Sequence, residues 1–194
     1  KIYKEKLGIS HKICLIGLIG RNDSIKGHLD FLNAISKVNN CHAVIVGSGV
    51  TNSKKINKHI DKLNINDKVS LFEQKENIQT LIGSLDLLVS SSYSEGFPTV
   101  VAEAMSCEVN VIATNVGDSS FLLGELGLIT NPGDHNELSK KIKSFQDMSQ
   151  IAIEKNGKKL RERIVKKFSS EIMTDRYNSL YISLCSGRTS EPKN

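Results

Sequence analysis

Six short apolar runs, most of them followed by a stretch with helical spacing, constrain this chain more than any other feature of its 194 residues. They read "KICLIGLIG", "HAVIVGSG", "DKVSLF", "LDLLVSSS", "EVNVIATN" and the shorter "LGLITN". Each is rich in Val, Ile and Leu and nearly continuous in apolar character, which suits strands buried on both faces. After the first run, "GHLDFLNAISKV" places Leu29, Leu32, Ile35 and Ser36 at helical spacing. A polar helix is expected over Lys54 to Leu63, a short one near Ile78 to Gly83, and another from Asp134 to about Phe145 after the cap-like "NPGDHNEL". Strands that alternate with helices pair in parallel, because each crossover is long enough to return the chain to the same edge. The expected fold is a doubly wound, Rossmann-like α/β domain with a parallel sheet of about six strands, helices on both faces and further C-terminal helices. Right-handed crossovers gather the carboxyl ends of the strands at one edge, where ligands of such folds bind. The loops that follow strands are therefore the informative ones.

The chain is long enough for one domain and too short for two, so residues 1–186 are expected to fold together and 187–194 to form a frayed tail. "SSEIMTDRYNSLYISL" spaces Ile172, Met173, Tyr177, Leu180, Tyr181 and Leu184 as an amphipathic helix with an apolar face to bury. The start, "KIYKEKLGIS", has neither an initiator methionine nor an apolar signal region, so the chain reads as a piece of a longer protein. No apolar run approaches the roughly 18 residues a bilayer span needs. Cys14, Cys41, Cys107 and Cys185 lie far apart without a C-x-x-C pair, which argues against zinc and for buried, reduced thiols in the cytoplasm. Glu154 to Phe168 hold seven basic and two acidic residues, so the formal charge of +5 is concentrated there. A solvated helix face explains this segment; contact with an anionic membrane surface, at its inner face, or with a partner is the alternative. Nucleic acid is excluded, since the basic residues are neither interleaved with aromatics nor set in a reading motif.

Three loops deserve chemistry. "GRNDSIKGHLDF" supplies Gly20, Arg21, then Lys26 and Gly27 at a helix start, which together could hold a diphosphate through fork, point charge and helix dipole. An ordinary loop with two cations is the competing reading. "VGSGVTNSKK" carries Gly47 and Gly49 without a third glycine, so it reads as a tight turn and not as a dinucleotide fingerprint. The stretch "SSSYSEGFPTVVAEAM" sets Glu95 and Gly96 in a turn, Pro98 at a first helical position, and Glu103 in the second turn. The amides of Phe97, Thr99 and Val100 are then left without helical partners. Val101, Ala104 and Met105 take the sheet-facing side, and Glu103 falls beside them, partly buried at the crevice edge. Two carboxylates about 7 Å apart along a helix axis could each grip a sugar diol, with amides between them for phosphate. Alternatively Glu95 caps the helix and Glu103 pairs with a lysine.

"SEGFPTVVAEAM" resembles the E-x7-E region of the retaining family 4 glycosyltransferases, whose donor-binding domain is the C-terminal half of a GT-B fold. "GLIGRNDSIKG", "AVIVGSG" and "DLLVSSSYSEGFPTVVAEAM" resemble successive family segments, and "NVGDSSFLLGELGLITNPGDHNELSKKI" is similar to the closing stretch of members that make bacterial surface polysaccharides. The resemblance implies that Arg21 and Lys26 neutralise the diphosphate and leaving group. It implies further that Glu95 contacts the transferred sugar, that the backbone from Gly96 through Phe97, Pro98 and Thr99 to Val100 lines sugar and phosphate, and that Glu103 holds the ribose. No metal or other cofactor is implied beyond the nucleoside diphosphate sugar. Three positions depart from the family pattern: Glu108 stands where glycine is usual, Asn110 where proline is common, and Glu73 where a glycine often follows the third strand, near the expected base pocket.

The expectation is a donor-binding domain of a hexosyltransferase-type enzyme that transfers sugar, with retention, to a glycan or lipid-linked acceptor held by a separate N-terminal domain. Alone it should not catalyse. A nucleotide-sugar epimerase on the same scaffold, or a non-catalytic nucleotide-binding domain, are the rival readings.

Overall fold

The computed structural model describes residues 2–73 and 77–186. Its strands are β1 (Cys14–Ile19), β2 (Cys41–Val46), β3 (Val69–Phe72), β4 (Leu87–Ser90), β5 (Asn110–Thr114) and β6 (Leu128–Thr130). The helices are α1 (Ile2–Lys6), α2 (His28–Ile35), α3 (Lys54–Leu63), α4 (Ile78–Ile82), α5 (Thr99–Ser106), α6 (Ser119–Leu123), α7 (His135–Gln146), α8 (Gln150–Phe168) and α9 (Ser170–Cys185). All six apolar runs are strands, and they form one parallel sheet in the order β3-β2-β1-β4-β5-β6. The expected doubly wound, Rossmann-like fold is the fold observed.

Side chains alternate faces along a strand, and β1 shows the consequence. Ile16 and Leu18 join Phe31, Leu32, Ile56, Leu138 and Ile142 in a core under α2, α3 and α7. Leu15 joins Val101, Ala104, Met105, Leu160 and Ile164 in a second core under α5 and α8. The strand order reverses between β1 and β4, which opens a crevice at their carboxyl ends.

Several helical details differ from the expectation. The first residues form α1, whose Lys4 is buried and paired with Asp86 at 2.5 Å; Asp86 in turn accepts the Leu15 N–H at 2.7 Å. Ser36 is the C-cap of α2 and not part of its apolar face. Helix α8 is more than a solvated face, because Gly157, Leu160 and Ile164 are buried and Gly157 passes against the Glu108 carbonyl. Its Arg161 donates to Ser106 O, and Arg163 donates to Leu122 O at 2.7 Å and Phe121 O at 2.6 Å. These guanidiniums cap the ends of α5 and α6, whereas Lys155, Lys158, Lys159, Lys166 and Lys167 remain exposed. Helix α9 buries no residue: Met173, Tyr177, Leu180, Tyr181 and Leu184 all stay exposed, so its apolar face is open among the described residues. The cysteines are free, with Cys41 buried, Cys14 and Cys107 half-buried and Cys185 exposed, which departs from the expected burial at that last position. Burial pushes the Cys14 thiol up to about 12, so it stays protonated near neutral pH. The tail expected over 187–194 lies outside the described residues.

Candidate functional site at the sheet's switch point

The loop after β1 begins at Gly20, whose N–H donates to Val46 O at 2.8 Å, and ends at Gly27. Asp23 organises what lies between. Its carboxylate accepts the Ile25 N–H at 3.1 Å, capping a 3-10 turn over Ser24–Lys26, and also receives Arg21 Nε at 3.2 Å and Nη2 at 3.0 Å. The Ile25 N–H, then the guanidinium, hold its carboxyl below the usual carboxylate range. The Arg21 guanidinium is thus tethered along one edge while its side chain remains 69% exposed. The turn hands over to α2 at Gly27, which has φ +64 and sits so close to Ser91 that a Cβ would come within 2.0 Å of the Ser91 carbonyl.

The loop after β4 is sewn to this one. Ser91 Oγ donates to Lys26 O at 3.1 Å and Gly27 O at 3.0 Å, and the Tyr93 N–H donates to Ile25 O at 2.7 Å. Thr114, at the end of β5, donates its hydroxyl to Ser92 O at 2.6 Å. From below, Gly117 has φ +49 and would drive a Cβ to 2.1 Å from the Glu95 carbonyl. These contacts fix the direction of Glu95. Its Oε1 accepts Lys26 Nζ at 2.7 Å and Ser92 Oγ at 2.7 Å, with both charged side chains largely shielded. Among the described residues Oε2 has no protein donor.

Helix α5 then starts at Thr99, with Pro98 at the N-cap and not at the first helical position expected. Pro98 O accepts the Val101 N–H at 3.0 Å and the Ala102 N–H at 3.3 Å. Among the described residues, the N–H groups of Gly96, Phe97, Thr99 and Val100 meet no protein acceptor. They form an open donor set at the positive end of a helix, suited to an anion. Phe97 stands exposed beside them, its ring 6.1 Å from that of Phe168.

Glu103 lies one turn further along α5, on its exposed side and not partly buried as expected. Its carboxylate makes no hydrogen bond or ion pair among the described residues, yet local desolvation raises its pKa. Neither competing reading of the two carboxylates is observed: Glu95 does not cap α5, and no lysine pairs with Glu103. Lys26 and Glu95 are brought together at the β1/β4 switch point, with the free amides of α5 following Glu95, and Arg21 lies in the same loop as Lys26, paired with Asp23.

Sequence reasoning missed Asp23, Ser91, Ser92, Thr114 and Gly117. The "SSS" run was legible as a strand end, but nothing in it reveals that two of its hydroxyls bind the Lys26 loop and Glu95. Glu73 was noted only as a departure. Its carboxylate takes the Gly49 N–H at 2.9 Å and the Thr51 hydroxyl at 2.5 Å, and the latter bond leads in lowering its pKa. It clasps the loop after β2 shut.

Residues 1–167 match the family described as glycosyl transferases group 1. The chain belongs to that family. Among its relatives in the glycosyl transferases group 1, the capsular polysaccharide biosynthesis glycosyltransferase CapM of Staphylococcus aureus is 28% identical over 173 residues, covering 86% of this chain and 45% of CapM. A second, named as putative teichuronic acid biosynthesis glycosyltransferase TuaC of Bacillus subtilis, is 32% identical over 149 residues, 76% of this chain and 34% of TuaC. Among solved structures, a variant of TarM from S. aureus in complex with fondaparinux, alpha-GlcNAc-glycerol and UDP superposes with a TM-score of 0.75 at 25% identity, covering 88% of this chain and 36% of TarM. The chain therefore spans less than half the length of these relatives.

Proposed function

We propose that this chain is the donor-binding, C-terminal domain of a retaining glycosyltransferase of family 4, and that it presents a nucleoside diphosphate sugar to an acceptor held elsewhere in the intact protein. One observation carries the reading: Lys26 pairs with Glu95 at the β1/β4 switch point, in a loop that also carries Arg21, beside the unpaired amides that open α5. Two cations and four free N–H groups match a diphosphate in charge and donor count. Glu95 keeps one oxygen without a donor, as a group that accepts from a sugar hydroxyl must. Glu103, exposed and unpaired, is assigned to the ribose. UDP in the TarM complex, and the polysaccharide roles in the names of CapM and TuaC, support a nucleotide-sugar donor and a glycan or lipid-linked acceptor.

In the proposed reaction Arg21 and Lys26 take up charge that develops on the departing diphosphate, the groups being fixed in advance by Asp23 and by the Ser91 hydroxyl. No metal is required for that role. Glu95 orients the transferred sugar, and the domain alone lacks the wall that holds the acceptor, so transfer by the isolated chain is expected to be negligible. Calorimetry with UDP, GDP, their glucose conjugates and the free nucleosides tests the reading. One diphosphate should bind while its nucleoside does not; equal affinity for both would remove the phosphate from the site and with it the proposal.

A further inference from the structure

A polar hollow of about 480 Å³ opens next to the Arg21 to Gly27 loop on the α2 and α3 side of the sheet, and the donor reading makes no use of it. Its volume falls within the range of small-ligand sites. Ser24 from the loop, Asp30 and Asn33 from α2, Lys55 and His59 from α3, and Tyr93 from the loop after β4 supply its chemistry. Asp30 and Asn33 are three positions apart and so share a helix face. Asp30 Oδ2 accepts the Tyr93 hydroxyl at 2.7 Å, whereas Oδ1 lies 3.9 Å from His135 Nδ1, too far for a hydrogen bond. That oxygen keeps its lone pairs although the carboxylate is only 18% exposed. Asn33 uses its carbonyl oxygen on His59 Nε2 at 2.9 Å, which leaves both amide hydrogens without a protein acceptor among the described residues. Ser24 Oγ and Lys55 Nζ likewise make no hydrogen bond or ion pair among them. Partial burial lowers the His59 pKa and so favours the neutral ring, in which Nε2 donates to Asn33 and Nδ1 is left to accept.

A ligand that satisfies this wall must offer donors and acceptors together. An anion is disfavoured, since Asp30 offsets Lys55 and the Asp23 carboxylate is matched by Arg21, and an apolar ligand would strand the free amide and carboxylate. A polyhydroxylated molecule fits both demands, and the exposed Tyr93 ring offers the flat apolar surface against which a pyranose face packs. Tyr93 also links the hollow to the candidate reaction centre. It precedes Glu95 by two residues, and its N–H holds the Lys26 loop through Ile25 O at 2.7 Å.

We propose that this hollow is a subsite for one or two units of a neutral saccharide, bound beside the donor-binding loops. The assignment rests on the glycosyltransferase reading above. Isotope-labelled chain titrated with maltose, cellobiose or chitobiose, with and without saturating UDP, tests it by nuclear magnetic resonance. At least one disaccharide should shift the Asn33 side-chain amide and the Tyr93 backbone amide. Asn33→Ala should weaken that disaccharide at least about fivefold, the loss expected of one or two buried hydrogen bonds, and leave UDP affinity unchanged. Ser24→Trp, which fills the hollow from an exposed turn, should abolish the shifts without touching the α2 and α3 contacts. Absence of shifts at these residues with all three disaccharides, or shifts that survive Ser24→Trp, overturns the subsite even if UDP binds. Failure of UDP itself to bind overturns the donor reading independently.

Discussion

Lys26 Nζ lies 2.7 Å from Glu95 Oε1, so the cation assigned to phosphate and the carboxylate assigned to sugar neutralise each other in the unliganded chain. A diphosphate that enters the crevice competes with Glu95 for Lys26. Freed or shared, Glu95 then gains acceptor strength toward a sugar hydroxyl, which couples the two halves of the donor. Glu95→Gln should therefore tighten UDP by about 0.5–1.5 kcal/mol, because Lys26 is released and a nearby negative charge removed, while it narrows the preference for UDP-sugar over UDP. Calorimetry with both ligands reads the two effects together, and weaker UDP binding by the variant would contradict the exchange.

Arg21 should behave differently from Lys26, since its guanidinium bonds Asp23 through Nε and Nη2 but stays exposed and clear of Glu95. Arg21→Ala should weaken the nucleoside diphosphate by about 1.5–3 kcal/mol, the range for bonds to charged groups, and leave the urea midpoint unchanged. A shifted midpoint would mark Arg21 as a structural partner of Asp23.

Glu103 gives the site a pH dependence. Desolvation raises its pKa, so the folded chain holds a proton on Glu103 at a pH where the unfolded chain has lost it. Folding stability from this group thus increases as pH falls through that raised value and is absent above it. Binding runs the other way, because ribose hydroxyls donate to the ionised form. UDP affinity should decline on acidification beginning above the ordinary glutamate range, and Glu103→Gln should bind more weakly at pH 7 by about 1–3 kcal/mol and lose that decline. A variant whose pH profile matches that of the parent would sink the ribose assignment.

Asn110 occupies a strand position where proline is common in the family it resembles, and it uses its amide to dock α8. It donates to Ile153 O at 3.1 Å and accepts Asn156 Nδ2 at 2.8 Å. Asn110→Ala should cost about 1–3 kcal/mol in urea denaturation, because two partly buried bonds to α8 are lost. UDP affinity of the folded fraction should not change.

Glu108 has φ +63, the left-handed conformation that glycine adopts freely. Replacing it removes strain but adds freedom to the unfolded chain. Glu108→Gly should still stabilise by about 0.5–1 kcal/mol, measured as a higher melting temperature.

The strands were legible because buried parallel strands are apolar throughout, and the Lys54 to Leu63 helix because Ser53 and Asn64 cap a clear periodicity. The α9 face was legible as apolar, but what covers it was not. Apolar spacing shows that a face seeks cover, not that cover is present within the same chain. In the site, charged groups such as Arg21, Lys26 and Glu95 advertise themselves by type. The groups that aim them do not: Ser91 and Thr114 act through carbonyl oxygens on loops far away in sequence, and Gly117 acts by having no side chain. Glu103 was placed from helical geometry alone, which gives a direction around the axis but not the height of the neighbouring loops.

The sheet contains no hairpin, and its switch point joins strands that are remote along the chain: Leu15 meets Asp86 across 71 positions, and Lys26 meets Glu95 across 69. Loop closure on that scale is the slow part of folding, since its entropy must be met before the contacts that reward it exist. The crevice consequently exists only once the two halves of the chain have met. A nascent chain released before Ser91 and Glu95 have emerged would own every cation of the site and still have no site. In a cell, a substitution that merely slows this closure would mimic a binding defect while leaving each binding residue intact.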